Sequence, residues 1–304
     1  MKILFLTKHF YPNIGGVEKH ALEVSKNLVK RGHEVTVLTS KIEGVRKFSV
    51  SNIDLLHIEY PKRKLIGLLS IWLWMIKNKS LFASFDILHV HDVGIWIWPL
   101  RLLFGRRFFI TFHGYEKYPP TFLSKIIRKI SETVAEGNIC VGDYLKKWYG
   151  TRPSLVTYGA AHKGKGKKEK GLAVYLGRLD KGTNLPAFLE KLGERKDIAE
   201  VVFVGDGELR EVCMRYGKVT GFRSPDEFLK KAEICFASGY LSATEALSFG
   251  CKLEVGWTNP LQEDYWKMSP FYRFSGKNSA RGTNWARKQT WEKLTGQYLK
   301  LWEN

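Results

Sequence analysis

Short apolar runs, separated for the most part by segments with helical spacing of their apolar residues, constrain this chain more than anything else in it. KILFLT, HEVTVLTS, IDLLHIEY, DILHVHD, RRFFITFHG and GNICVG read as strands over residues 2–7, 33–40, 53–60, 86–92, 106–114 and 137–142. Strand and helix in alternation imply a parallel, doubly wound sheet, because parallel neighbours need a long crossover between them. After SLVTYG comes HKGKGKKEKG, residues 162–171, a glycine and lysine run with no apolar face that reads as a solvated interdomain linker. The pattern then restarts with LAVYLGR, EVVFVGD, KVTG, EICFAS and CKLEVG. The expectation is an α/β protein with two doubly wound, Rossmann-like domains, residues 1–161 and 172–285, joined by the basic linker 162–171. Residues 286–304 form a last segment in which Trp291, Leu294, Tyr298 and Leu301 have the spacing of one helix face and suit core packing better than an aromatic sugar platform.

In doubly wound sheets ligands gather at the carboxyl ends of the strands, so polar residues and glycines there are the candidates. The loop FYPNIGG precedes a helix expected from Val17 to Arg31 and closed by Gly32. Its Gly15 and Gly16 would let a phosphate or sugar approach the backbone, although a glycine pair equally marks a plain turn. His91 and Asp92 end one strand, and His113 and Glu116 follow another. In the second half, Arg178 and Lys181 come from LGRLDKG, Gly205, Asp206 and Gly207 from VGDGELR, and Gly221 from VTGF. Two cations among glycine turns suit a diphosphate, since arginine offers a planar fork of donors and lysine a mobile charge. The stretch 233–251 reads as a strand, a turn at Gly239 and a helix capped by Ser242, with Glu245 in its first turn and free to accept hydrogen bonds from a sugar diol. The same residues, SATE, also read as a capping box, as do Ser224 and Glu227 around Pro225. No Asp-x-Asp pair offers itself to a divalent metal, so no metal and no cofactor are expected.

A net charge of +19 and a pI near 9.7 call for an anionic partner: nucleic acid, a membrane surface or a phosphorylated substrate. Nucleic acid is not expected, because helix-turn-helix, zinc and RNP signatures are lacking. Cys140, Cys213, Cys235 and Cys251 show no CxxC pairing, and three lie in apolar strand-like runs, which points to buried, reduced thiols. MKILFLT leads straight into a strand with no leader pattern, so export is not expected. The most apolar run, residues 65–76, is too short to span a bilayer. Lys62, Arg63, Lys64, Lys77 and Lys79 flank it, and Arg106, Arg107, Lys125, Arg128 and Lys129 follow near other apolar segments. These suit an anionic membrane surface; a core-packed helix with solvated lysines is the alternative.

FYPNIGGVEKHALEVSKNLVKRGHEVTVLTS, then DILHVHD, TFHGYE, YLGRLDKG, VFVGDGELR and SATEALSFG, in that order, resemble the glycosyltransferase family 4 pattern over most of residues 1–256. The resemblance implies the GT-B fold, with two domains facing a central cleft and a C-terminal helix crossing back to the first. It implies retaining, metal-independent transfer of a hexosyl unit from a nucleoside diphosphate sugar, UDP or GDP type, to a glycan or lipid-linked acceptor. The reduced thiols and the lack of a leader pattern suit a cytoplasmic enzyme, and the basic first domain would hold it on the inner face of the membrane. Carried over by position, Gly16 beside Gly15 would approach the donor phosphate or the acceptor, and His113 would contact the sugar near the reaction centre, with His91, Asp92 and Glu116 lining the cleft. Arg178 and Lys181 would neutralise the diphosphate, Gly205 and Gly207 would turn close to the donor, and Glu245 would accept the ribose hydroxyls. The family usually has a Glu eight positions before the residue matching Glu245, where this chain has Ala237, in a segment about four residues shorter. The loop between Arg178 and Lys181 is also about two residues shorter. Either backbone groups at Gly239, Tyr240 and Leu241 then hold the donor sugar, or the donor differs, or catalysis is lost and the protein is a non-catalytic subunit that binds a nucleotide sugar or glycan.

Overall fold

Alternating strand residues supply both faces of each sheet, so helices must cover both. The computed structural model describes residues 1–41, 49–59, 64–115, 117–277 and 280–303. Its first half runs β1 (Lys2–Thr7), α1 (Gly16–Lys30), β2 (Glu34–Ser40), β3 (Asp54–Ile58), α2 (Lys64–Lys77), α3 (Lys79–Ala83), β4 (Ile87–His91), α4 (Gly94–Phe104), β5 (Phe109–Phe112), α5 (Phe122–Val134), β6 (Gly137–Val141), α6 (Tyr144–Tyr149) and β7 (Leu155–Thr157). The seven strands form one parallel sheet in the order β3-β2-β1-β4-β5-β6-β7. Ile3 and Phe5 of β1 pack with Ala21, Val24 and Leu28 of α1, whereas Leu4 and Leu6 join Ile71 and Met75 of α2 and Ile97 of α4. This is the period-two consequence of a strand buried on both sides.

The second half runs β8 (Glu169–Leu176), α7 (Leu185–Leu192), β9 (Glu200–Val204), α8 (Arg210–Cys213), β10 (Lys218–Val219), α9 (Asp226–Lys231), β11 (Ala232–Ala237), α10 (Tyr240–Ser248), β12 (Lys252–Glu254), α11 (Pro260–Lys267), α12 (Ala280–Arg287) and α13 (Trp291–Glu303). Its parallel sheet has the order β10-β9-β8-β11-β12. In both sheets the strand order reverses beside the first strand, between β1 and β4 and between β8 and β11. Those two crevices hold most of the residues singled out above. The final helix does return to the first sheet: Trp291, Leu294, Tyr298 and Trp302 of α13 are buried with Ile3, Phe5 and the apolar side of α1. All four cysteines are buried and free. No helix among the described residues is long and apolar enough to cross a membrane.

Three sequence expectations change here. Residues 162–171 are not a free hinge: Glu169–Gly171 already belong to β8, and a Cβ at Gly164 or Gly166 would strike Phe249 or the Lys230 backbone. Lys168 Nζ also donates to the Leu229 carbonyl at 2.7 Å. The glycines lie flat against the second domain, while Lys163, Lys165 and Lys167 stay exposed. Ser224 and Glu227 do not box the next helix, which begins at Asp226 with Pro225 as its uncapped preceding residue. Finally, α10 begins at Tyr240. Ser242 therefore sits in its first turn, with its hydroxyl accepting from the Gly239 N–H at 3.0 Å, and Glu245 falls in the second turn.

A candidate active site between the two sheets

On the first sheet, β4 and β5 end beside each other and carry His91 and His113 to one crevice. Asp92 takes a left-handed backbone, φ +62°, which Asp tolerates better than most residues, and its carboxylate accepts from the His113 N–H at 2.8 Å. His91 Nδ1 meets His113 Nε2 at 2.8 Å. Arg128 of α5 fixes the turn from beneath, donating to the Gly114 carbonyl at 2.8 Å while stacked on Tyr149 at 4.0 Å. It is buried, so it is not one of the membrane-facing cations that the sequence suggested. Lys62, Arg63 and the side chain of Lys64 lie outside the described residues, as does Glu116.

Beneath this crevice a chain of hydrogen bonds ties α13 to α1. The Trp302 indole can only donate, so His89 Nδ1, 3.0 Å away, must accept and His89 Nε2 must carry the proton. That proton goes to Thr111 Oγ1 at 2.8 Å, the Thr111 and Tyr298 hydroxyls share a hydrogen bond at 2.8 Å, and Tyr298 shares another with His20 Nε2 at 2.9 Å. The His20 ring stands edge-on to His113 with centroids 4.7 Å apart. Burial pushes His20 down to about 3. It holds His89, His91 and His113 well below the usual imidazole value as well, with neighbouring imidazoles adding to the effect. At neutral pH His113 is therefore an uncharged hydrogen-bonding group.

The second sheet supplies the opposite wall. Arg178 follows β8, is exposed, and pairs with Asp180 at 3.3 Å. Across from it Tyr115, whose hydroxyl burial raises, stands edge-on to Tyr265 of α11 with ring centroids 6.2 Å apart, so the two walls meet here. Lys181 is exposed, with its backbone N–H on Glu208 at 2.8 Å. Gly205 and Gly207 are taken up by packing of the β8 and β9 end loops: a Cβ at Gly205 would strike the Gly177 carbonyl, and one at Gly207 would strike Leu179 and Asp180. Gly221 has φ +71° and forms a bridge to Gly205. Ala237 is buried, its carbonyl accepting from Asn184 Nδ2 at 2.7 Å.

Helices α1 and α10 lie side by side across the cleft. Leu241 comes to ordinary contact distance of the Cβ position at Gly16, whereas a Cβ at Gly15 would meet the Glu18 side chain. One turn on, Lys19 is ion-paired with the nearly buried Glu245. One turn further, Glu23 pairs with His162 at 3.3 Å, and the His162 carbonyl accepts from Ser248. The structure thus brings Gly16, Leu241 and Glu245 together, but Lys19 holds the Glu245 carboxylate that the sequence reading left free for a sugar diol. The helix N-terminus is also engaged. The Tyr240 N–H donates to the Tyr265 hydroxyl at 2.9 Å, and the rings of Tyr240 and Tyr265 stack with centroids 3.9 Å apart.

Sequence reasoning missed Lys19, His20, Arg128 and Tyr265 as parts of this site. Lys19 did carry a signal, since a cation near the start of a helix opposes the macrodipole and calls for an anion. Tyr265 carried none, being brought in by the turn before α11. Among the described residues no three His, Cys, Asp or Glu side chains are grouped to hold a metal ion.

Comparison with known proteins fits this architecture. Residues 14–153 match the Glycosyltransferase Family 4 model. No curated protein matches the sequence. Among solved structures, the sucrose-phosphate synthase of Thermosynechococcus elongatus superposes with a TM-score of 0.75 at 14% identity, over 99% of this chain and 98% of its own. HepE of Anabaena, solved with UDP and glucose, gives 0.66 at 13% identity over 99% of both chains. WaaG, a glycosyltransferase involved in lipopolysaccharide biosynthesis, gives 0.65 at 14% identity over 98% of this chain and 99% of its own. The chain is a protein of GT-B fold whose residues 14–153 are similar to Glycosyltransferase Family 4.

Proposed function

We propose that the protein is a retaining, metal-independent glycosyltransferase that moves a hexosyl unit from a nucleoside diphosphate sugar of UDP or GDP type to a lipid-linked or anionic glycan acceptor at the cytoplasmic membrane face. The observation that carries this is the meeting of the two strand-end crevices, with Tyr115 edge-on to Tyr265 of α11 and α10 beside α1. That HepE is solved with UDP and glucose on the same fold supports the donor class. In this reading Arg178 and Lys181 take up the charge of the departing diphosphate, and Glu245 exchanges Lys19 for the ribose diol. Neutral His113 hydrogen-bonds the sugar. The bond from C1 to the diphosphate breaks with its electron pair on the phosphate oxygen while the acceptor oxygen joins C1 on the same face. The acceptor proton passes to that phosphate oxygen, the base nearest to the incoming hydroxyl in a same-face exchange. Domains 1–161 and 172–285 divide the work as acceptor side and donor side.

Ala237 favours a second reading, a non-catalytic subunit that binds a nucleotide sugar or glycan, because the sugar-holding carboxylate usual in the family is lacking there. Thermal unfolding with UDP, GDP and ADP and their sugar conjugates, followed by turnover with Arg178→Ala as control, separates the two. Ligand at about a hundred times its dissociation constant should stabilise the fold by roughly 2.7 kcal/mol. Stabilisation by one base together with transfer lost in the variant is the expected result. Stabilisation without transfer would establish the second reading in its nucleotide-sugar form, and no stabilisation by any nucleotide would overturn the first and leave a non-catalytic, glycan-binding subunit.

A further inference from the structure

Helix α5 is oriented the wrong way round for a helix that faces water. Its inner side carries Arg128 and Ser131, 6% and 2% exposed, while Phe122, Leu123, Ile126 and Ile130 are 80%, 64%, 38% and 40% exposed. An amphipathic helix ordinarily turns its apolar stripe to the core. Rotation cannot hide this one, because Arg128 is locked inside by the Gly114 carbonyl and the Tyr149 ring. The same layer repeats the feature. Helix α4 packs between α2 and α5 and ends in the exposed Leu102 and Leu103, while α2 turns Leu69 and Leu73 outward and buries Ile71 and Met75. Single exposed leucines need no explanation, but stripes on three adjacent helices form one apolar face.

Charge says what covers it. Helices α2 and α4 contain no Asp or Glu, and α5 contains only Glu132, which is bridged to Lys129 at 2.6 Å. Lys77, Lys79, Arg107 and Lys125 stand around the stripes, with Lys79 Nζ 4.9 Å above the Phe104 ring. Apolar stripes edged by long cationic side chains suit the boundary between acyl chains and anionic headgroups, where stems lie among the chains and ammonium groups reach the phosphates. A second copy of this +19 chain would set like charge against like on the same face.

We propose that the outer face of α2, α4 and α5 docks on an anionic lipid bilayer, with the Phe122, Ile126 and Ile130 stripe inserted at the acyl boundary. This rests on the membrane-facing reading above and supplies its surface. Because α5 follows the His113–Gly114–Tyr115 turn, docking would set the cleft mouth beside the lipid.

The test is flotation of the full chain, without sugar donor, with phosphatidylcholine vesicles alone or containing about a third phosphatidylglycerol. The wild type should float with the anionic vesicles and less so as salt rises. The triple variant Phe122→Ser, Ile126→Ser, Ile130→Ser should partition at least about tenfold less with an unchanged Tm, since the side chains it alters are exposed. A Lys77→Glu, Lys125→Glu variant, which leaves the apolar stripe intact, should lose the preference for anionic over neutral vesicles. Failure of the wild type to float, equal flotation of either variant, or a wild-type dimer that the triple variant dissolves would overturn the proposal. Nucleotide-induced stabilisation measured on the same preparations separates a failed membrane face from a failed donor site.

Discussion

Mild acid should destabilise this protein well before its carboxylates titrate. His20, His89 and His91 are each at most 1% exposed, and burial holds all three far below the ordinary 6.5. A histidine depressed in the native state is neutral when folded and takes up a proton on unfolding, so its contribution is present above 6.5 and lost as pH falls. At about pH 5.5, one unit below the unfolded value, each contributes about 1.4 kcal/mol of destabilisation, and three together about 4 kcal/mol. That is a large part of a typical 5–15 kcal/mol. His162, raised by Glu23, works in the other direction, since its contribution is present below 6.5 and lost as pH rises, but it is well exposed and screened. Glu23, lowered to about 2, loses its contribution only below 4.5, outside this window. Urea unfolding followed by tryptophan fluorescence at about pH 7.5, 6.5 and 5.5 measures the slope. A loss under about 1 kcal/mol with constant m would refute the neutral-histidine account, and His20→Gln should reduce proton uptake at about pH 5.5 by close to one.

Replacing Lys19 by Met leaves the Glu245 carboxylate without its cation, and should cost about 1–3 kcal/mol, a range reduced because the lysine is one-third exposed. Adding Glu245→Gln should restore most of that loss in a double-mutant cycle of thermal unfolding. Tyr265→Phe removes the acceptor of the Tyr240 N–H and should cost about 1–3 kcal/mol, read by the same assay. Gly94→Ala would set a Cβ 2.6 Å from Ser131 Oγ and 2.7 Å from Ile110, where α4 meets α5 and the sheet, and should lower stability by about 1–3 kcal/mol.

The two sheets were legible because most strands carry short apolar runs and most crossovers carry helical spacing, signals that need no tertiary knowledge. The Trp291, Leu294 and Tyr298 face could be read for the same reason, since a helix with one large aromatic side must find a core. What escaped was set by which groups tertiary packing brings together. The sequence makes Ser242 the cap of α10, yet Gly239 begins the turn because extended backbone there lets the serine hydroxyl reach back to its N–H. The sequence leaves Glu245 free for a sugar diol because its neighbours in the chain say nothing about α1 lying alongside. Arg128 was counted with surface cations, since its apolar neighbours suggested a helix turned the usual way, and only the Gly114 carbonyl and two aromatic rings explain why it is inside.

The seam between α1 and α10 sets the terms on which a nucleotide could enter. In the reading proposed here Glu245 must exchange a lysine for a diol, and the Tyr240 N–H must exchange a phenol for a donor oxygen. Each of these contacts stabilises the empty protein and opposes the ligand by the same free energy, because a ligand gains only the difference between the two states. At the lower end of the roughly 1–3 kcal/mol range for Lys19→Met, about 1 kcal/mol, that difference is about fivefold in the dissociation constant. Lys19→Met should therefore lower Tm while binding its nucleotide more tightly. A variant that lost stability and affinity together would instead make Lys19 a direct ligand of the diphosphate, standing at the helix start beside Gly16 for that purpose.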